Sequence, residues 1–189
     1  MPAGTDVSHA SLRDATVVGI DLSRALLAKA AAIETDAPLG ITYVHGDVSS
    51  ARALEGEGFD GVVASFALSD IDDLDGALAT VARVLPNNGF FLFSILHPCF
   101  PGRPPNVSSA WPPDGGYYSE RWWTSTATLS TLRQKVGANH RTLSTYMNAL
   151  TDHGFTIERL AEPEPSREWL DTVGIVDPVP VFLVCRSRT

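Results

Sequence analysis

Two acidic residues stand where short apolar runs end. Thr16 to Ile20 is apolar and β-branched and leads into Asp21-Leu22-Ser23, while Ile41 to Val44 leads into His45-Gly46-Asp47-Val48. A carboxylate at the carboxyl end of a strand can accept two hydrogen bonds from the vicinal hydroxyls of a ribose. Such a residue normally lies about 20 residues beyond a glycine-rich loop that cradles phosphate or cofactor. Asp21 has only 20 residues before it, and none of them spells that loop. A lone Asp or a Gly-Asp pair is also an ordinary turn or helix cap.

Other residues could carry chemistry. His97-Pro98-Cys99 follows an apolar run, and His97 is either a general base or a structural histidine in a turn. His140, in Asn139-His140-Arg141, either lines a pocket or caps a helix at the surface. The pairs Tyr117-Tyr118 and Trp122-Trp123 either form a lid that excludes water or pack their segment onto the core. Asp60, Asp70, Asp72, Asp73 and Asp75 read as solvated or capping residues, and no metal site is expected. Cys99 and Cys185 are far apart and have no metal-ligand spacing, so they read as free thiols of a reducing cytoplasm.

The elements that position these residues follow from periodicity. Thr16 to Ile20 suits a strand covered on both faces, and Ser23 caps a helix with apolar Leu26, Leu27, Ala30 and Ile33. Pro38-Leu39-Gly40 breaks that helix before a second strand at Ile41 to Val44. Gly61 to Ser65 is a third strand. Leu74, Leu78, Val81 and Leu85 mark a helix, and Pro86-Asn87-Asn88-Gly89 stops it before a strand at Phe90 to Leu96. Short buried strands alternating with helices argue for a mostly parallel sheet wrapped by helices. From His97 to Val136 the pattern lapses into a segment rich in Pro and aromatic residues, Pro104 and Pro105 among them. A long irregular insert of this kind is usually a lid or binding loop. A helix resumes at Leu143, Tyr146, Met147 and Leu150, and Phe155 to Leu160 and Pro180 to Cys185 read as a last pair of strands. Ser8 to Arg13 reads as the tail of a helix.

Composition narrows the partners. The chain has 189 residues, 44% of them hydrophobic, and a formal net charge of -8, which suits one soluble domain with a real core. An acidic chain with no Lys/Arg cluster is a poor match for a phosphate backbone, so nucleic acid is not expected. The longest apolar run, Gly89 to Leu96, is too short to span a bilayer, and the N-terminus has no signal-peptide pattern. A cytoplasmic location is expected; oligomeric state is not legible.

Taken in order, these signals resemble the class I S-adenosylmethionine-dependent methyltransferases. Val-Val-Gly-Ile-Asp21-Leu22-Ser23 is similar to the acidic end of that family's second strand, and Gly46-Asp47-Val48 to the turn after its third. Phe59 to Leu68, the helix from Leu74 and Phe90 to Leu96 resemble its fourth strand, next helix and fifth strand; the end of the chain resembles its closing antiparallel hairpin. The resemblance implies an α/β, Rossmann-like, doubly wound and mostly parallel sheet with an antiparallel C-terminal strand, in one domain over 1–189 with the insert at about 97–136. It implies S-adenosylmethionine as cofactor and a small-molecule acceptor. Asp21 would hold the ribose hydroxyls, Asp47 the adenine amine and the Val48 N–H a ring nitrogen. Ser65, Phe66 and Ala67 would face the methionine part, with Leu22 and Phe66 as apolar walls. His97, Tyr117, Trp122 and His140 would line the acceptor side, with His97 and His140 as catalytic candidates.

One departure stands out. The family's first strand and Gly-x-Gly loop belong just before residue 15, where this chain reads Met1-Pro-Ala-Gly-Thr-Asp-Val-Ser-His-Ala. The first strand is therefore expected to be missing. Losing about three backbone hydrogen bonds to the cofactor, at roughly 1 kcal/mol each, would weaken binding about a hundredfold. Two rival readings follow: a non-catalytic remnant or interaction module, favoured by the missing loop, and a nicotinamide-dependent oxidoreductase, in which Asp21 would serve equally.

Overall fold

The computed structural model describes residues 15–50, 52–102, 107–126, 131–175 and 179–189. The helix tail at Ser8 to Arg13, the segment expected to lack the glycine loop, and Pro104 and Pro105 lie outside these residues. The chain divides into two compact units, Met1–Glu57 and Gly58–Thr189.

In the first unit, β1 (Val18–Asp21) pairs in parallel with β2 (Thr42–His45), in a register that sets Asp21 opposite His45. Helix α1 (Arg24–Asp36) connects them. Ser23 caps it as expected, its hydroxyl accepting from the Leu26 N–H at 3.3 Å. Glu34 Oε1 accepts from the N–H groups of Leu39, Gly40 and Ile41 at 2.7, 2.6 and 3.1 Å, tying the helix end to the approach to β2. The apolar positions do not form a packed face: no residue of α1 is buried, and Leu26 and Ile33 are exposed. The strand differs too, since all of β1 is half-buried rather than covered on both faces. Here the helix rests on its cap and on an Ala-rich sequence of high helix propensity.

The second unit is built on β3 (Gly61–Ser65), which pairs in parallel with β4 (Phe90–Leu96). Phe91, Phe93 and Ile95 alternate on the buried face of β4, the period expected of a strand with one face in the core. Helix α2 (Leu74–Val84), capped by Asp73, lays Leu74, Leu78 and Val81 on that core. The insert contains short elements of its own: β5 (Arg121–Trp123), α3 (Thr131–Val136) and β6 (Ala138–His140). β5 and β6 pair antiparallel, with Arg121 opposite His140 and Trp123 opposite Ala138. Helix α4 (Leu143–Asp152) buries Tyr146, Ala149 and Leu150. The closing strands are β7 (Thr156–Ala161) and β8 (Phe182–Arg188), both antiparallel to their neighbours, in the order β3-β4-β8-β7. Between them lies α5 (Arg167–Val173), which hydrophobic periodicity did not reveal. Among the described residues, β1 has β2 as its one strand neighbour and β3 has β4. No helix among the described residues is long and apolar enough to cross a membrane.

Candidate functional site

In the first unit, both acidic residues stand at carboxyl ends of parallel strands, the edge where open α/β sheets take their ligands. Asp21 Oδ1 accepts from the Ser23 N–H at 2.6 Å, so one oxygen closes the turn into α1. Its other oxygen makes no hydrogen bond among the described residues. Leu22 beside it is 67% exposed, an apolar side chain available as a wall. Beyond β2, Asp47 Oδ1 accepts from the Ser49 N–H at 2.9 Å and the Ser49 hydroxyl at 2.6 Å. Those two bonds hold its carboxyl below the usual carboxylate range, so the exposed group stays ionised. Val48 opens the turn after it. Carboxylate oxygens that accept but cannot donate fit the hydroxyls and amine of a nucleoside.

In the second unit, the residue after β3 is strained. Phe66 has φ +52, a conformation rare outside glycine, and its N–H donates to the Ser94 carbonyl at 2.9 Å. The ring of Phe66 meets Phe182 edge-on at 5.7 Å, and Phe182 in turn packs on Trp169 of α5 at 5.8 Å. Ser65 Oγ lies 3.5 Å from Ser94 Oγ, and Ala67 leads into a short 3-10 turn, Leu68–Asp70.

A cavity of about 430 Å³ opens at the carboxyl ends of β3 and β4, bounded by Ser69 past the first and by Leu96 and Pro98 at the end of the second. Trp123, His140 and Trp169 close it. Of the residues expected on the acceptor side, His140 lines this cavity and His97, Tyr117 and Trp122 do not. The reason for Trp122 is strand alternation: it points outward and is 53% exposed, while Trp123 turns inward and is 8% exposed. Tyr117 supports the wall from behind, its carbonyl accepting from His140 Nε2 at 2.6 Å and its hydroxyl accepting from the Leu143 N–H at 3.0 Å.

The two histidines differ in what their nitrogens do. His97 is buried, and its Nδ1 accepts from the Cys99 N–H at 3.1 Å. Its Nε2 lies 2.9 Å from Glu162 Oε1, off the line an N–H would take, so the two are in close contact without an aligned hydrogen bond. His97 thus holds the turn after β4. His140 is buried as well, which rules out a surface cap; Thr142 caps α4 instead. Because a carbonyl only accepts, the 2.6 Å contact places the His140 proton on Nε2 and leaves the lone pair of the neutral ring on Nδ1. Glu120 lies within electrostatic reach of His140. Burial raises the Glu120 carboxyl, but hydrogen bonds from Thr145 and Thr142 outweigh that and hold it below its ordinary value.

The acidic run is structural. Asp73 caps α2, Asp70 pairs with Arg133, and Asp72 Oδ1 accepts from Asn139 Nδ2 at 2.7 Å. Trp169 was not foreseen because α5 is too short to show a period. Its borders were visible all the same: Ser166 as N-cap and Gly174 in the left-handed conformation past the end.

Comparison with known proteins finds methyltransferases similar to this chain. A methyltransferase-domain family model matches residues 3–93, so the match begins ahead of the strand that ends at Asp21. An S-adenosylmethionine-dependent methyltransferase structure from Mesorhizobium loti shares 28% identity over 92% of this chain and 80% of that one, with a TM-score of 0.69. One from Methanosarcina mazei shares 16% identity over 100% and 88%, with a TM-score of 0.69. The 1,6-didemethyltoxoflavin-N1-methyltransferase of Burkholderia thailandensis, solved with that compound and S-adenosylhomocysteine, shares 18% over 98% and 66%, with a TM-score of 0.63. At these lower identities the likeness shows the fold. Comparison with curated proteins gave no significant match. The mixed, Rossmann-like α/β architecture expected from the sequence is the one these structures share.

Proposed function

We propose that this chain, a member of the class I S-adenosylmethionine-dependent methyltransferases, methylates a small-molecule acceptor held in the cavity beyond β3 and β4. Its cofactor is S-adenosylmethionine, and the nicotinamide reading of Asp21 gives way to that assignment. The observation that carries the acceptor reading is the cavity itself. Its volume of about 430 Å³ suits a small molecule, and it sits at the strand ends where this kind of sheet takes its ligands.

The chemistry supplied by bound S-adenosylmethionine is a sulfonium-activated methyl group. The residues of this chain do the rest. The free oxygen of Asp21 accepts from ribose hydroxyls; ionised Asp47 accepts from the adenine amine, and the Val48 N–H donates to a ring nitrogen. Leu22 offers an apolar wall in the first unit and Phe66 one in the second. Ser65, Phe66 and Ala67 face the methionine part, and the left-handed backbone at Phe66 sets the direction in which that segment leaves β3. His140 Nδ1 takes the proton released by an acceptor O–H or N–H, and the ionised Glu120 offsets the charge the ring then carries. Where the acceptor is already nucleophilic, positioning supplies most of the rate. Two free thiols are in keeping with a reducing compartment such as the cytoplasm.

Calorimetric titration with S-adenosylhomocysteine and, separately, NAD tests this. Binding of the first alone is expected. If the folded chain binds neither, the reading as a non-catalytic module replaces this one.

A further inference from the structure

The geometry points to a planar aromatic acid as the methyl acceptor, with the indole N–H of Trp123 reading its carboxylate; this rests on the cavity being the acceptor site. Three independent observations support it. The first is a missing partner. Trp123 is 8% exposed, lines the cavity, and its Nε1 has no hydrogen-bond partner among the described residues. Native proteins seldom leave a buried donor unpaired, and a ligand oxygen is a natural partner for one in a cavity wall.

The second is charge. Arg133 and Arg141 both line the cavity, and no Asp or Glu does so among the described residues. Arg133 is paired with Asp70. Arg141 spends its donors on the carbonyls of Leu68, Ile71 and Asp72, at 3.1, 2.7 and 2.8 Å. Those carbonyls hold the guanidinium in place without cancelling its charge. Arg141 therefore keeps an uncancelled positive charge at the cavity wall, which disfavours a cationic guest and favours an anionic one.

The third is shape. Trp123, Trp169, Tyr146 and His140 give the cavity aromatic walls, which suit a flat ring. The Nε1 atom is sealed from water, so its N–H meets the guest only when the indole shifts as the cavity fills.

Three size-matched probes test this: 4-hydroxybenzoate, neutral p-cresol and cationic tyramine, each titrated with S-adenosylhomocysteine present and absent. The indole N–H signals are followed by NMR, that of Trp123 being assigned by its loss in Trp123→Phe. The acid is expected to bind about tenfold more tightly than p-cresol, with tyramine weakest, and to move the Trp123 N–H signal downfield. Trp123→Phe keeps an aromatic ring and loses only the donor; it should weaken the acid about fivefold or more and leave p-cresol unchanged. The inference is overturned if p-cresol or tyramine binds as well as the acid, or if the acid binds while the Trp123 signal of the unaltered chain stays in place. That second readout needs no variant to fold. Binding of S-adenosylhomocysteine without any preference for the acid sinks this inference and leaves the methyltransferase reading standing. Acid binding with the Trp123 shift but no cofactor binding overturns the acid's role as methyl acceptor and, with it, the methyltransferase reading.

Discussion

His140 Nε2 donates to the Tyr117 carbonyl at 2.6 Å, and that one contact separates the two histidines of the second unit. It fixes the ring and leaves Nδ1 as its basic site, whereas His97 uses Nδ1 to accept from the Cys99 N–H. His140→Gln should lower kcat about a hundredfold, measured as S-adenosylhomocysteine released with a hydroxyl acceptor, and leave cofactor affinity within about twofold. His97→Gln should instead lower thermal stability and leave the kcat of the remaining folded enzyme close to that of the parent. Equal losses of kcat in both variants would remove the distinction.

Gly137 joins α3 to β6 with φ +67, and a Cβ there would meet the Trp122 ring and lie 2.7 Å from the Trp123 carbonyl oxygen. Backbone cannot yield as a flexible side chain can. Gly137→Ala should therefore cost about 2 kcal/mol in urea unfolding. It should also shift the Trp123 indole signal, because β5 and β6 carry two walls of the cavity. A change under about 0.5 kcal/mol would show that the hairpin is not held as described.

Glu120 makes part of the stability depend on pH. Its Oε1 accepts from the Thr142 N–H at 2.6 Å and the Thr145 hydroxyl at 2.5 Å, and these bonds hold its carboxyl below the ordinary 4.5. A lowered native value means that the contribution is full above the unfolded value and is lost as pH falls through the native one. Glu120 is solvent-exposed, which keeps its worth small. Glu120→Gln should be less stable by about 0.5–1 kcal/mol at neutral pH, with the gap closing as pH falls below the native value. Urea unfolding at pH 7 and pH 3 measures both; a gap that is the same at each pH would contradict the assignment.

The two thiols should react in sequence. Cys99 is exposed, while Cys185 is fully enclosed in the core and burial pushes its thiol up to about 11. A chromogenic disulfide reagent at pH 8 should titrate one thiol quickly and the second only on unfolding. Two fast thiols in the native chain would show that the β4–β8 core opens readily.

Much of this fold was legible because its strands carry their own signals. Phe90–Leu96 alternates buried and half-buried along its whole length, and Gly61–Ser65 and the Ser23 cap fell where the pattern put them. Helix α5 escaped because seven residues span about two turns, too few for a period, and only its caps mark it. The β5–β6 pairing escaped for another reason: three-residue strands 14 residues apart depend on tertiary contact rather than on local pattern. That pairing decides which tryptophan faces inward: the sequence reading put Trp122 on the acceptor side, and it is Trp123 that lines the cavity. The apolar side chains of α1 show the opposite error, since a helical spacing predicted a packed face and Leu26 and Ile33 are exposed. Among the candidate residues, the acidic strand ends were readable from type and position, whereas the placing of Trp123, Arg133 and Trp169 around the cavity needed the fold.

In the proposed complex Asp21 accepts from the ribose of S-adenosylmethionine, and one substitution isolates that contact. Its Oδ1 is committed to the Ser23 N–H at 2.6 Å, and an amide oxygen can keep that bond. Asp21→Asn therefore preserves the turn while replacing the second carboxylate oxygen with a donor. Calorimetric titration with S-adenosylhomocysteine should show binding to the parent chain and about tenfold or more weaker binding to Asp21→Asn, with the thermal midpoint nearly unchanged. Equal affinity for the two chains, or no binding to the folded parent, would show that Asp21 does not hold the ribose.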